Sequence, residues 1–275
     1  MSGHTSWNGT ISMDGGDSNS GTMTFRHWVV EWNGCGETYP GGEPTGCWAQ
    51  EAGGYGDGVG VGETGGDWVI EDSAFLHNTS DGLDLLYHTL GGSITLNRVH
   101  AEGNAGNQIK VAGPTEITNS VFVGNCAYFE DQPFTFLVDH CRALGNTLAV
   151  FFTGGESMSI LNSTLYGQGD GLVMGAIREG FQCTGTETIS ARNCIFHGDA
   201  DYFDNTDITY LFYTENCADL HLDSDYNIAF NVKNVECGVV GDLTSSGAHD
   251  QCTDPLLDGP LAGTEFGMTL SPASP

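Results

Sequence analysis

Three aspartates and one lysine recur in similar short settings: "GDGVGVG" at 56–62, "SDGLDLL" at 80–86 and "GNQIKVAG" at 106–113. Aligned, Asp57 falls over Asp81 and Asn107, and Gly60 falls over Asp84 and Lys110. Lys110 is one of two lysines in the chain and stands 26 residues after Asp84. If 26 residues is one turn of a coil, the four charged side chains meet at one exterior spot. Alternation within a strand turns Leu83 and Leu85 inward and Asp84 outward, and likewise Ile109 and Val111 inward and Lys110 outward. Asp84 and Lys110 are then about one strand spacing, ~4.8 Å, apart. Three carboxylates this close repel one another unless a positive charge sits among them. Hard oxygen ligands at this density suit Ca²⁺, which tolerates loose geometry, and Lys110 is the second source of positive charge.

The elements that place these residues are visible as a repeat. "IEDSAFLHN" (70–78), "LNRVHAEGN" (96–104), "ITNSVFVGN" (117–125), "VDHCRALGN" (138–146) and "ILNSTLYGQ" (160–168) each run from an aliphatic residue to an amide. The amides are Asn78, Asn104, Asn125, Asn146 and Gln168, at steps of 26, 21, 21 and 22. Looser copies lie at 191–199 and 222–230. A second short run follows each of these amides, β-branched or aromatic and bounded by Gly, Asn and Asp. No apolar period of 3.6 is sustained. A repeat near 22 residues made of short strands predicts an all-β solenoid, a single-stranded right-handed parallel β-helix. Stacked rungs place like residues over like, so the recurring amides are expected to form a ladder rather than a ligand site.

Composition narrows the function. The chain has 275 residues, with 36 Asp+Glu against 7 Lys+Arg and a formal charge of -29. Such acidity disfavours nucleic acid and anionic membrane surfaces, and no apolar run is long enough to span a bilayer. The nine cysteines form no C-x-x-C pair, so disulfides of an exported, extracellular protein are expected, with one thiol left over. Cys35 with Cys47 and Cys237 with Cys252 are the local pairs to expect. The opening "MSGHTSWNGT" has no leader pattern, so the chain reads as one β-helix domain, 1–275, trimmed at both termini. Uncapped end rungs favour a monomer or an end-to-end dimer.

The chain resembles the right-handed parallel β-helix proteins, and its motifs resemble the family-nine pectate lyases. That family carries an Asp-Asp-Gly-x-Asp calcium motif, a further calcium aspartate about one coil earlier, and a Gly-Asn-Gly-Phe-Lys-x-Gly-like stretch with a catalytic lysine. Here "SDGLD" supplies Asp81 and Asp84, "GDG" supplies Asp57, and "GNQIKVAG" supplies Lys110, with Ser80 where the family has its first motif aspartate. The resemblance implies a calcium-dependent lyase that cleaves an acidic, uronate polysaccharide by β-elimination. Asp57, Asp81 and Asp84 would hold the metal and Lys110 would take the proton. Apart from the resemblance, Tyr87 and His88 follow the motif and either line a sugar groove or are ordinary outer-face residues, and Arg98 and Arg142 either hold sugar carboxylates or are surface arginines without that role. The alternative is a non-catalytic extracellular β-helix for carbohydrate binding, adhesion or structure. Five tryptophans fall in the first quarter and are expected mainly in the core. No H-E-x-x-H, G-x-S-x-G or P-loop is present.

Overall fold

Glycine and asparagine interrupt the β-branched runs every few residues, so the chain forms mostly short strands joined by tight turns. A computed structural model describes residues 11–13, 20–33, 57–125, 128, 145–199, 209–233, 235–236, 239–240, 244–258, 269–270 and 272. All regular structure there is β, with no α-helix. No helix among these residues is long and apolar enough to cross a membrane.

The strands come in successive groups. The first is β1 (Ile11–Met13), β2 (Thr22–Arg26) and β3 (Val29–Glu31). Next come β4 (Val59–Val61) with β5 (Asp67–Leu76), then β6 (Leu83–Leu85) with β7 (Ile94–Glu102). The fourth group is β8 (Ile109–Ala112), β9 (Thr115–Thr118) and β10 (Val121–Gly124). The fifth is β11 (Leu148–Phe152), β12 (Ser157–Leu161) and β13 (Thr164–Gly167). The sixth is β14 (Gly171–Ile177), β15 (Thr188–Arg192) and β16 (Ile195–Gly198). The seventh is β17 (Tyr210–Glu215), β18 (His221–Asp225) and β19 (Ile228–Phe230). The first strand of each group joins a seven-stranded parallel sheet in the order β1-β4-β6-β8-β11-β14-β17. The remaining twelve of these strands, with two short ones at Thr244–Ser246 and Gln251–Cys252, build a fourteen-stranded parallel sheet, which the long strands β5 and β7 cross from side to side. The result is a curled, solenoid-like stack, compatible with a β-helix.

The core lies between the two sheets. Leu83, Ile109, Leu148, Val173 and Phe212 form one column of the seven-stranded sheet, each fully shielded from solvent. Ile70, Leu96, Ile117, Ile160 and Ala191 form a column of the larger sheet, and Phe75, Ala101, Phe122, Leu165 and Phe196 form another. Burying a side chain of this size contributes about 1.5–3 kcal/mol. Trp68 is fully buried and Trp28 packs on the core, but Trp32 is exposed. Trp7 and Trp48 lie outside the described residues.

One sharp corner recurs in the larger sheet. His27, Asp72, Arg98, Asn119, Asn162, Asn193 and Tyr226 all have positive φ, between 48° and 59°, and they stack by register. The residue after each points inward, and several of these form their own ladder. Ser73 Oγ accepts from Trp28 N, Ser120 Oγ from Val99 N, Ser163 Oγ from Ser120 N, and Asn227 Oδ1 from Cys194 N.

The expected amide ladder exists in part. Asn33 Nδ2 donates to Asn78 Oδ1, Asn78 Nδ2 to Asn104 Oδ1, and Asn104 Nδ2 to Gln108 Oε1, at 2.7–2.8 Å. Asn125 and Gln168 share a register position, where Gln168 N donates to Gly124 O and the Gln168 side chain bonds to Tyr166. Asn146 lies instead before β11 on the other sheet. The stretch 138–144 falls outside the described residues, and β10 pairs directly with β13. The step there is 43 residues, between strands that are direct neighbours in the sheet.

Cys183 and Cys217 form a disulfide with a separation of 34 residues, tying the sixth group to the seventh. Cys252 is also disulfide-bonded, and Cys194 is a buried free thiol. The expected pairs Cys35–Cys47 and Cys237–Cys252 involve Cys35, Cys47 and Cys237, which lie outside the described residues.

Candidate functional site

The register places Gly60, Asp84 and Lys110 in one column. Each sits between two buried residues of β4, β6 or β8, so the Asp84 and Lys110 side chains leave the face opposite the core. Just before these strands, Asp57, Asp81 and Asn107 stack as well. Asp57 Oδ1 accepts from Asp81 N at 3.0 Å, and Asp81 Oδ1 accepts from Asn107 N at 2.6 Å and Asn107 Nδ2 at 2.8 Å.

The glycine after each aspartate has a physical cause. A Cβ on Gly58 would lie 2.8 Å from Asn78 Nδ2, and one on Gly82 would lie 2.6 Å from Asn104 Nδ2. The amide ladder thus runs hard against this turn. In the third rung Gln108 replaces the glycine, and its side chain ends the ladder on Asn104.

Asp57, Asp81 and Asp84 each present an oxygen within 4.8 Å of the others. Lys110 Nζ donates to Asp81 Oδ2 at 3.1 Å and to Asp84 Oδ2 at 3.0 Å. Burial, then the like charges of Asp81 and Asp84, push Asp57 up to about 8, although the Ser80 hydroxyl bonds to it. Burial also raises Asp84, only partly offset by Lys110. Burial alone would raise Asp81 too, but Lys110 and the Asn107 hydrogen bonds outweigh it and leave that carboxyl below its usual range. Burial opposes the charge on Lys110, yet the three carboxylates hold its proton on well above the usual lysine range.

The donor set fits a hard divalent cation. Beside the three carboxylates, Asn107 Oδ1 is buried with no hydrogen-bond partner, an amide oxygen of the type that such a cation takes.

The other residues expected at the site divide. Tyr87 is exposed, and the Arg178 guanidinium carbon stands 4.6 Å from its ring centroid. His88 is 1 % exposed, and its ring nitrogens face Ala112 O at 3.2 Å and Gly66 O at 2.8 Å. β6 ends at Leu85, so strand alternation does not continue to residue 88, and the ring fastens neighbouring turns instead of facing a groove. Arg98 is not brought to the cluster. It occupies the positive-φ corner of the larger sheet and grips Asp72 with two nitrogens, at 2.5 and 2.8 Å. Arg142 lies outside the described residues.

The seven-stranded sheet also carries groups that the sequence reading passed over. Ala149, Met174 and Ala176 form a small buried apolar cluster with Phe151 and Tyr213 against it. Ala149 and Met174 continue the Lys110 column. Tyr213 Oη donates to Asn146 Oδ1 at 2.8 Å, and Asn146 Nδ2 is buried without a partner. Arg178 directly follows β14. Its only signal in the sequence is scarcity, since the chain has few cations. The outward side of the sheet therefore grades from a charged cluster at β4–β8 to apolar and aromatic side chains, buried or partly buried, at β11–β17. No family model, curated protein or solved structure matches the chain.

Proposed function

We propose that the protein is a calcium-dependent polysaccharide lyase acting on a uronate polymer, built on a right-handed, single-stranded parallel β-helix. The observation that carries this reading is Lys110 Nζ held simultaneously by Asp81 and Asp84 inside a three-carboxylate cluster. Asp57, Asp81 and Asp84, with Asn107 Oδ1, would hold the ion. Ca²⁺, when bound, would neutralise a substrate carboxylate and acidify the adjacent C–H. The role of the chain is to position a base and control its proton. With Asp81 and Asp84 uncompensated, Lys110 stays charged. Once their charge is satisfied otherwise, little holds that proton, and the neutral amine can accept one from the sugar carbon. The C–H pair then forms the double bond, and the glycosidic C–O bond breaks with its electrons on the leaving oxygen. The Cys183–Cys217 disulfide supports an oxidising, extracellular setting.

The test is ultraviolet absorbance of unsaturated product from polygalacturonate and related uronate polymers, with and without chelator. The reading requires product that chelator abolishes and that Lys110→Ala loses. Retained activity in Lys110→Ala would sink it. A second reading, a non-catalytic β-helix that binds glycans, is favoured by Ser80 in place of a fourth aspartate. It predicts binding with no chain cleavage.

A further inference from the structure

Cations are scarce here: 7 Lys+Arg face 36 Asp+Glu. Among the described residues, Arg26 pairs with Glu71, Arg98 with Asp72, Lys110 with Asp81 and Asp84, and Arg192 with Asp223. Arg178 departs from this pattern, with no ion pair and no side-chain hydrogen bond to any described residue. Its Nε is buried without a partner, and its guanidinium carbon lies 4.6 Å from the centroid of Tyr87. Tyr87 itself is 43 % exposed.

The placement is specific. Tyr87 follows β6, the strand of Asp84, and Arg178 follows β14. These strands are three steps apart in the seven-stranded sheet, or about 14 Å at the usual spacing. A 4.6 Å approach means that the two side chains reach toward each other along the stack. Stacking on an aromatic ring fixes a guanidinium in place with little further entropy to lose on binding. A fixed guanidinium with open donors takes a carboxylate with two parallel hydrogen bonds. A tyrosine beside it offers an apolar ring face of the kind that packs on sugar C–H groups.

We infer that Arg178 and Tyr87 form a substrate subsite on the seven-stranded sheet, in which the guanidinium holds the carboxylate of a uronate residue while the tyrosine ring lies against the sugar. This rests on the uronate substrate class proposed above. It reassigns carboxylate recognition from Arg98, which Asp72 already occupies, to Arg178.

The experiment is calorimetric binding in chelator, so that cleavage plays no part, with an oligogalacturonate and its fully methyl-esterified, uncharged counterpart as probes. The wild-type protein should prefer the charged probe at least 10-fold. Arg178→Gln should abolish that preference, and Arg178→Lys, which keeps charge but not the fork, should retain only part of it. Lys110→Ala should keep the preference. Tyr87→Leu should weaken both probes, and it decides the matter if Arg178→Gln fails to fold. The inference is overturned if the wild-type protein shows no preference or no binding. It is equally overturned if Arg178→Gln keeps the full preference, or if Tyr87→Leu binds both probes as the wild type does. An Arg178-dependent preference without any unsaturated product would retain the subsite and dismiss the lyase. Chelator-sensitive cleavage with no effect of Arg178→Gln would do the reverse.

Discussion

Replacing Lys110 by methionine should destabilise the fold strongly, and calcium should reverse much of the loss. Methionine keeps the stem of the side chain and removes only the charge. Lys110 makes two ion pairs, at 3.1 and 3.0 Å, and its side chain is 19 % exposed, against 6 % for Asp81 and 14 % for Asp84. At an effective dielectric constant near 20, each pair is worth about 5 kcal/mol before desolvation. Breaking a largely buried pair by deleting one partner costs about 3–5 kcal/mol, because the remaining charge is left uncompensated. The partial exposure of this cluster points to the lower end, about 3 kcal/mol. For a chain of this size that is roughly 6–12 °C in Tm, at about 2–4 °C per kcal/mol. Calcium at 100 times its Kd would return about 2.7 kcal/mol. The assay is thermal unfolding followed by circular dichroism, in chelator and across a calcium series. The reasoning fails if Lys110→Met melts with the wild type in chelator. It fails also if calcium raises the Tm of an Asp57→Ala, Asp81→Ala, Asp84→Ala triple variant as far as it raises that of Lys110→Met.

Other outcomes follow from the same geometry. Gly82→Ala should abolish the calcium-induced rise in Tm, because the new Cβ would sit 2.5 Å from Gln108 O and displace the turn that carries Asp81 and Asp84. Glu187→Gln should cost about 1–3 kcal/mol in urea unfolding at neutral pH, since Glu187 accepts from Gly155 N, Thr184 N, Gly185 N and Thr186 N. Although burial opposes its charge, these hydrogen bonds bring Glu187 down to about 2 from 4.5. A carboxyl depressed on folding stabilises fully above its unfolded value, so the wild type should lose this contribution as pH falls from about 4.5 through about 2, and Glu187→Gln should not. Replacing both Cys183 and Cys217 by serine opens a loop with a separation of 34 residues. The chain-entropy estimate is about 3.7 kcal/mol, to be read from guanidinium unfolding under non-reducing conditions.

The seven-stranded sheet around the cluster was legible because its signal is local. Asp-Gly occurs at both 57–58 and 81–82, the step to 107–110 is regular, and period-two alternation decides which residues face out. The rest was hidden by features that alternation does not encode. The 43-residue interval between β10 and β13 is nearly twice the short repeat, so the segment at 138–146 looks like a rung. Arg98 reads as an outward strand residue but occupies a positive-φ corner, where the strand changes direction. The placement of His88 is hidden for the same kind of reason, because β6 ends before it. The Cys183–Cys217 pairing joins two different turns of the stack, a relation that sequence spacing does not reveal. Arg178 became notable only when every other described arginine proved to be engaged with a carboxylate.

The corner that runs from His27 to Tyr226 sets how this architecture can vary. Where it separates two strands, it always takes two residues, whereas the layers between successive corners vary in length from 21 to 45 residues. New sequence can therefore enter only at the other bends, beside the outer edges of the smaller sheet. Layers can acquire loops of any size there while the hydrophobic columns remain aligned. A lineage carrying this scaffold is free to reshape what borders its acidic face, but a bulky β-branched residue at the corner would disturb every layer stacked upon it.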